Sequence, residues 1–254
     1  MGILDLFSLK TKTGYVTGGA RGIGRSIAMG LAEAGARVTI VDINFTEAQK
    51  TAQELAGLGF DCFAIHADVT QKEQVLVMVD KILQRWGRLD IAVNNAGKVL
   101  NVSAEEMTEE QWDAVINLNL KGVFLTSQAA GNVMIKQKSG SIINIASMSA
   151  HIVNHPQPQV AYNASKAGVV MVTKSMAAEW AGYGVRVNSI SPGYTGTELV
   201  MKMKDLHGRW EEMTPMKRLA EPDEIMGAAV YLASEASCFV TGHDLVVDGG
   251  FTLW

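Results

Sequence analysis

Seven short apolar runs alternating with stretches of helical spacing constrain this chain more than any other feature. The runs fall at 14–17, 38–41, 62–66, 91–94, 141–145, 185–191 and 244–247. Most are continuous rather than alternating, as strands covered on both faces are. Helical spacing fills 23–34, 46–58, 72–86, 109–136, 160–181 and 222–234. Thr108 with Gln111 three residues on predicts a capping box, and Pro222 with Asp223 and Glu224 suits a helix start by fixed φ and by dipole. Parallel strands need crossovers, which are right-handed, so this alternation predicts an α/β protein with a doubly wound seven-stranded parallel sheet flanked by helices. No repeat or linker divides the 254 residues, so one domain over 1–254 is expected. The segment 194–220, rich in Met, Lys and Glu, carries no strand. Ligands of such sheets lie beyond the C-terminal strand ends, which makes this segment a lid candidate.

Composition removes several function classes. With 48% hydrophobic residues the chain can bury a full core, unlike a disordered one. A formal charge of −4 leaves no basic footprint for nucleic acid. Two isolated cysteines, Cys62 and Cys238, read as a reducing compartment rather than a disulfide scaffold. The first ten residues have neither the basic region nor the long apolar region of a signal peptide, and no apolar run reaches the roughly eighteen residues of a membrane span. A cytoplasmic protein without membrane or nucleic-acid partners is expected.

Chemistry concentrates at the ends of the apolar runs. The first leads into Thr17-Gly18-Gly19-Ala20-Arg21-Gly22-Ile23-Gly24 and then a helix. Glycines there permit unusual φ and let backbone approach a pyrophosphate at a helix N-terminus. The spacing differs from the usual dinucleotide Gly-x-Gly-x-x-Gly, but the strand–turn–helix context is the required one. Asp42 follows Gly24 by eighteen residues. A carboxylate at that distance binds ribose hydroxyls and repels a 2′-phosphate, which favours NAD over NADP; Arg21 in the turn favours the opposite. Asp68-Val69 follows the third run, where it can hold an adenine edge or simply cap the next helix. Asn94-Asn95-Ala96-Gly97 ends the fourth, and two amides leaving a buried strand must both find partners.

Tyr162-Asn163-Ala164-Ser165-Lys166 opens a helix, and four-residue spacing puts the phenol and the ammonium on one face. Bringing a phenol from about 10 toward 7 takes roughly 4 kcal/mol. One charge about 4 Å away supplies that order at an effective dielectric of about 20. The pair can serve as a general acid–base. Ser147 and Ser149 follow the fifth run, where a hydroxyl can hold a substrate oxygen, and Asn119 lies inside the 109–136 helix, where asparagine is a poor former.

Together these residues resemble the short-chain dehydrogenase/reductase family in its NAD-preferring branch. The resemblance runs through TGGARGIG, Asp42, DVT, NNAG, NLNLKG, INIASMS, YNASK, SPGYTGTE and VDGG, in order and over essentially the whole chain. It implies a catalytic set of Asn119, Ser147, Tyr162 and Lys166, with Tyr162 as acid–base and Ser147 positioning the substrate oxygen. Lys166 would bind the nicotinamide ribose and lower the Tyr162 pKa, and Asn119 would hold a relay water. Cofactor contacts would come from Gly18, Arg21, Gly22, Ile23, Gly24, Asp42, Asp68, Val69, Asn95, Gly97, Tyr162 and Lys166. Pro192, Gly193, Thr195 and Thr197, in the segment 192–197, would hold the carboxamide. Ser149 lies thirteen residues before Tyr162, a common family spacing, and Ser147 fifteen; the Asn144-Ile145-Ala146-Ser147 motif selects Ser147 and leaves Ser149 as a substrate contact.

The loop 151–159 is crowded with amides, among them Asn154 and Gln157, which suit a ligand with several hydroxyls better than an acyl chain or steroid. Its pattern and the chain's last eight residues resemble bacterial polyol dehydrogenases of the galactitol and sorbitol type. That implies oxidation of a secondary hydroxyl to a ketose, with Ser147, Ser149, Asn154, Gln157 and Tyr162 facing the substrate. A 3-oxoacyl-carrier-protein reductase is the alternative enzyme, opposed by Asp42. A non-catalytic dinucleotide-binding regulator is a third reading, opposed by the filled Asn119, Ser147, Tyr162 and Lys166 positions. The five histidines show no metal spacing, so no catalytic metal is expected. The resemblance also implies a homotetramer, with the helices 109–136 and 160–181 at an interface. A structural Mg²⁺ at the Trp254 carboxylate is a further implication.

Overall fold

The structure, a computed structural model, describes residues 2–254. Seven strands form one sheet: β1 (Thr13–Thr17), β2 (Arg37–Asp42), β3 (Cys62–His66), β4 (Ile91–Asn94), β5 (Gly140–Ile145), β6 (Val185–Pro192) and β7 (Asp244–Val247). All pairs are parallel, in the order β3-β2-β1-β4-β5-β6-β7. The order reverses between β1 and β4, which opens a crevice at the C-terminal edge. The main helices are α1 (Gly22–Glu33), α2 (Phe45–Gly57), α3 (Lys72–Trp86), α4 (Glu109–Ile116), α5 (Gly122–Gln137), α6 (Val160–Trp180), α7 (Glu198–Met201), α8 (Lys204–Met213) and α9 (Asp223–Ala233). The fold class is the one the alternation predicts, with every strand within about two residues of its expected bounds.

Strand residues alternate between two apolar layers, because successive side chains leave opposite faces. Val16, Ile40 and Ile143 meet Ile27 and Leu31 of α1, Leu55 of α2 and Ile225 and Leu232 of α9. Tyr15, Val41 and Ile142 meet Val75, Met78 and Ile82 of α3, Met134 of α5 and Met176 of α6. Val75, Met78, Val79 and Ile82 are a helical stripe that is wholly buried, while Glu73 and Lys81 of the same helix face solvent. The capping box at Thr108 is present in both directions, and Pro222 caps α9 as its start signal requires. Among the described residues no helix is long and apolar enough to cross a membrane.

One expectation needs correcting. The 109–136 helix is not regular throughout: a π turn over Asn117–Lys121 separates α4 from α5. On that turn Asn119 points inward and exchanges hydrogen bonds with the backbone of Lys98, far back along the chain. The segment 194–220 carries no strand, as expected. It contains α7 and α8, pinned by the fully buried Trp210 and by backbone bonds between Tyr194 and Ala220 and between Gly196 and Ala220.

A polar network crosses the sheet where the crevice opens. Asn94 accepts from the Tyr15 hydroxyl at 3.0 Å and donates to Ser127 at 2.9 Å and Asn144 at 2.8 Å. Asn144 in turn donates to Thr173 of α6 at 2.9 Å. Every member is buried and paired, so the network joins β1, β4, β5, α5 and α6 at one level. Asn144→Ala strands the Asn94 amide and the Thr173 hydroxyl together. We expect it to lower stability by about 2–3 kcal/mol, read as a lower urea midpoint at unchanged slope; a loss below about 0.5 kcal/mol would show that the network is not a structural joint.

Candidate active site

The turn after β1 is shaped by backbone contact. Gly18 and Gly22 have φ of +60° and +55°. A Cβ on Gly24 would sit 2.2 Å from the Gly18 carbonyl oxygen, so α1 can enter this closely only as glycine. Asn95 holds the turn from the side, its Nδ2 donating to the carbonyls of Thr17 and Gly18, each at 3.0 Å. The expected cofactor residue Asn95 is thus also the strut that fixes the glycine turn.

A groove of about 730 Å³ runs along the C-terminal strand ends, lined by that turn and by Asp42, Asp68, Val69, Gly97 and Thr197. Asp42 accepts from the backbone N–H groups of Ala20 at 3.3 Å and Asn44 at 3.0 Å, which aims its carboxylate at the groove's outer end. Asp68 accepts from both the N–H and the hydroxyl of Thr70 and lines the groove, but it does not cap α3, whose N-cap is Gln71. Arg21 also lines this groove, exposed, with its guanidinium 3.8 Å from the Glu198 carboxylate. The donor set of bare helix-start N–H groups, a glycine cradle and a distant carboxylate fits an extended dinucleotide.

Where the groove deepens it joins a second cavity, of about 220 Å³, that brings together the residues expected to do chemistry. Lys166 is buried, and its Nζ donates to the Ile145 carbonyl at 2.7 Å. Burial pulls its ammonium from 10.5 down to about 8. Its Nζ lies 5.6 Å from the centre of the Tyr162 ring, over the π face. Burial pushes the Tyr162 phenol above its ordinary value, and a hydrogen bond with Ser147 pulls it partly back. The lowering of Tyr162 by Lys166 that the sequence implies is therefore not reached here, because the ammonium is turned to Ile145 and desolvation is the larger effect.

Ser147 Oγ lies 3.0 Å from Ser149 Oγ and accepts from the Ser149 N–H at 3.1 Å, so both hydroxyls face one cavity with Ser147 nearer Tyr162. Asn119 donates to the Lys98 carbonyl at 2.8 Å and to Ser165 at 3.1 Å, and accepts from the Lys98 N–H at 2.9 Å. It is fully buried behind Gly97, where a Cβ would come within 3.3 Å of its oxygen and 3.7 Å of the Lys166 ammonium. At the other side of the cavity Pro192 ends β6, and a Cβ on Gly193 would meet Asp248 Cα at 2.7 Å. Thr195 and Thr197 line the wall, the latter also capping α7.

The amide-rich loop folds over the cavity. Asn154 and Gln157 both reach the Tyr194 hydroxyl, at 3.2 and 2.7 Å, and Gln159 reaches Asn154 at 2.9 Å. His151 ties the loop's start to Asp244 at 2.6 Å. Gln159, Tyr194 and Trp210 are the site residues that motif reading does not single out; the one available signal is a tryptophan standing alone in the charged KDLHGRWEEM segment. Ile23 lines both cavities. Trp254 lies outside the site, exposed, its indole N–H on the Met213 carbonyl. Among the described residues no cluster of three His, Cys, Asp or Glu is placed to hold a metal ion, which leaves a Mg²⁺ at Trp254 without support.

The chain matches, over residues 18–252, the family model described as enoyl-(acyl carrier protein) reductase. It is 43% identical over 254 residues to the D-threitol dehydrogenase of Mycolicibacterium smegmatis, covering 97% of this chain and 95% of that one. It is 40% identical over 252 residues to the L-tagatose-forming galactitol 2-dehydrogenase of Cereibacter sphaeroides, covering 98% of each. A solved gluconate 5-dehydrogenase from Burkholderia cenocepacia J2315, in complex with NADP and tartrate, superposes with a TM-score of 0.95 at 39% identity, covering 100% of both chains.

Lys166 gives the site a pH signature. Its folded pKa of about 8 lies below 10.5, so the folded chain holds this proton less firmly than the unfolded chain does. The resulting destabilisation is complete below about pH 8 and fades as the pH rises toward 10.5. Lys166→Met is therefore expected to stabilise the unliganded protein at pH 7 by about 2–3 kcal/mol, the gain shrinking by pH 10. Urea midpoints at the two pH values check this, and a gain that grows with pH would contradict it.

Proposed function

Since this chain belongs to the short-chain dehydrogenase/reductase family, we propose that it interconverts a secondary hydroxyl of a polyol and the corresponding ketose, using NAD. The observation that carries the reading is one cavity holding Tyr162, Ser147 and Lys166 beneath an amide-lined loop and open to the glycine-turn groove. Gly18, Gly22, Ile23, Gly24, Asp42, Asp68, Val69, Asn95, Gly97, Lys166 and the segment 192–197 would hold the dinucleotide, which when bound supplies the hydride acceptor. In the oxidative direction Tyr162, as phenolate, takes the proton of the substrate hydroxyl and returns to phenol, and Ser147, on the same cavity, orients the substrate oxygen. Lys166 supplies the positive field that favours the phenolate form of Tyr162, and Asn119 fixes the Lys98 backbone at the pocket's floor. The segment 194–220 covers the site as a lid.

Asp42 supports NAD over NADP, since a 2′-phosphate would meet its carboxylate and like charges brought together cost several kcal/mol. Arg21, on the same groove, favours the opposite choice, but it is exposed and faces the Glu198 carboxylate, so Asp42 weighs more. A carrier-protein reductase is disfavoured by the walls: Asn154, Gln157 and Gln159 are buried amides, poorly suited to an acyl chain. A homotetramer is supported by Phe124 of α5 and Met171 of α6, exposed apolar side chains along a shallow groove shared with Leu120 and Trp180.

Tyr162→Phe is expected to keep NADH binding, followed by fluorescence, and to lower turnover by about 10³-fold; retained turnover would sink the mechanism. A panel of hexitols, tetritols and simple secondary alcohols, followed by NADH absorbance, tests the substrate class. Simple alkanols outpacing every polyol would contradict it. In the same assay NAD is expected to exceed NADP in kcat/KM, with Asp42→Ala narrowing the ratio by about tenfold or more; a wild-type preference for NADP would reverse the coenzyme assignment.

A further inference from the structure

The cavity carries a hydrogen-bond chain that proton transfer at Tyr162 does not use. Gln159 Nε2 donates to Asn154 Oδ1 at 2.9 Å and to Asn163 Oδ1 at 3.0 Å. That fixes the Asn154 amide with its nitrogen on the Tyr194 hydroxyl, at 3.2 Å. The Gln157 amide reaches the same hydroxyl at 2.7 Å. Asn154, Gln157 and Gln159 are each more than nine-tenths buried.

The chain does not close on itself. With Nε2 on Tyr194, Gln157 keeps a buried Oε1 that has no partner, and the phenol's own O–H finds no acceptor in the protein. With the amide turned over, the phenol donates to Oε1 and the NH₂ is left over instead. Either way the cavity wall contains an unpaired polar group, and such a group costs about 1–3 kcal/mol when buried. Gln157 Oε1 has almost no accessible surface, so Gln157 acts by holding the phenol, and a ligand hydroxyl supplies the acceptor that the Tyr194 O–H lacks. A methylene supplies none.

Tyr194 is also held independently of any ligand. Its ring stacks on Trp210 at 4.2 Å and 14°, and Phe251 packs edge-on at 5.3 Å. Tyr194 and Tyr162 line the same small cavity, of about 220 Å³. A ligand that reaches both phenols therefore needs polar groups on nearby carbons.

We propose that Tyr194 and Gln157 form a subsite for a second substrate hydroxyl, and that Tyr194 is the residue that selects vicinal diols and polyols over mono-alcohols. The inference rests on the secondary-alcohol reading above and assigns its specificity to a group outside the Tyr162–Lys166 pair.

The test compares kcat/KM for 2,3-butanediol and for 2-butanol in the full-length enzyme, in Tyr194→Phe and in Gln157→Leu. Tyr194→Phe keeps the ring on Trp210 and removes only the hydroxyl. Each variant is expected to lower the diol-to-mono-alcohol ratio by about tenfold, chiefly through KM for the diol. Equal losses on both substrates, or an unmoved ratio, would overturn the subsite. Should Tyr194→Phe fold poorly by thermal shift, Gln157→Leu carries the comparison alone. A wild type that favours 2-butanol would overturn the polyol reading itself, whereas a wild type that favours the diol with variants whose ratio is unmoved would overturn only the subsite.

Discussion

Everything in this molecule hangs on what two adjacent asparagines do at the end of the central strand. Asn94 ties β4 to β1 through Tyr15, to β5 through Asn144 and to α5 through Ser127. Asn95 turns the other way and holds the glycine turn by its carbonyls. Because strand residues alternate in direction, one dipeptide serves both the core and the crevice. Two positions on, Gly97 leaves the space into which Asn119 and Lys166 both come. Fold stability and site geometry are thus set at the same level of the sheet.

The electrostatics follow from that placement. Lys166 is a buried cation whose one protein partner is a carbonyl, and desolvation correspondingly weakens its hold on its proton. Tyr162 meets the same low dielectric from the other side, its proton held on by burial. The attraction between ammonium and phenolate grows as water is excluded, and it offsets part of the desolvation that each charge meets alone. Motif spacing brings the two residues to one helical face, but the carbonyl of Ile145 decides where the ammonium rests.

Legibility in the sequence tracks the range of the cause. Strands covered on both faces are continuous apolar runs, so β1, β4 and β6 are readable from composition alone, and the capping box of α4 from two residues. The π turn at Asn117–Lys121 is not, because the partner of its Asn119 is Lys98, twenty-one residues earlier. The lid helices are charged and short, and only Trp210 anchors them, so periodicity has little to register. In the site, Gly18, Asp42, Ser147, Tyr162 and Lys166 stand out by local motif. Tyr194 acquires its role from amides thirty-seven and forty residues away, a juxtaposition that only the fold creates.

The same distinction explains how an amide wall can discriminate. Asn154, Gln157 and Gln159 are uncharged, so their own part in selection is by hydrogen bonding. The loop is anchored at its start by His151 on Asp244, itself gripped by the hydroxyls of Ser189 and Ser191, and at its end by α6. Its amides are consequently ordered before a ligand arrives, and little conformational entropy remains to be lost on binding. A rigid wall with one unpaired polar group penalises a ligand that cannot pair with it more than it rewards one that can. Rejection of the apolar analogue, rather than extra attraction for the hydroxyl, is the larger part of such specificity.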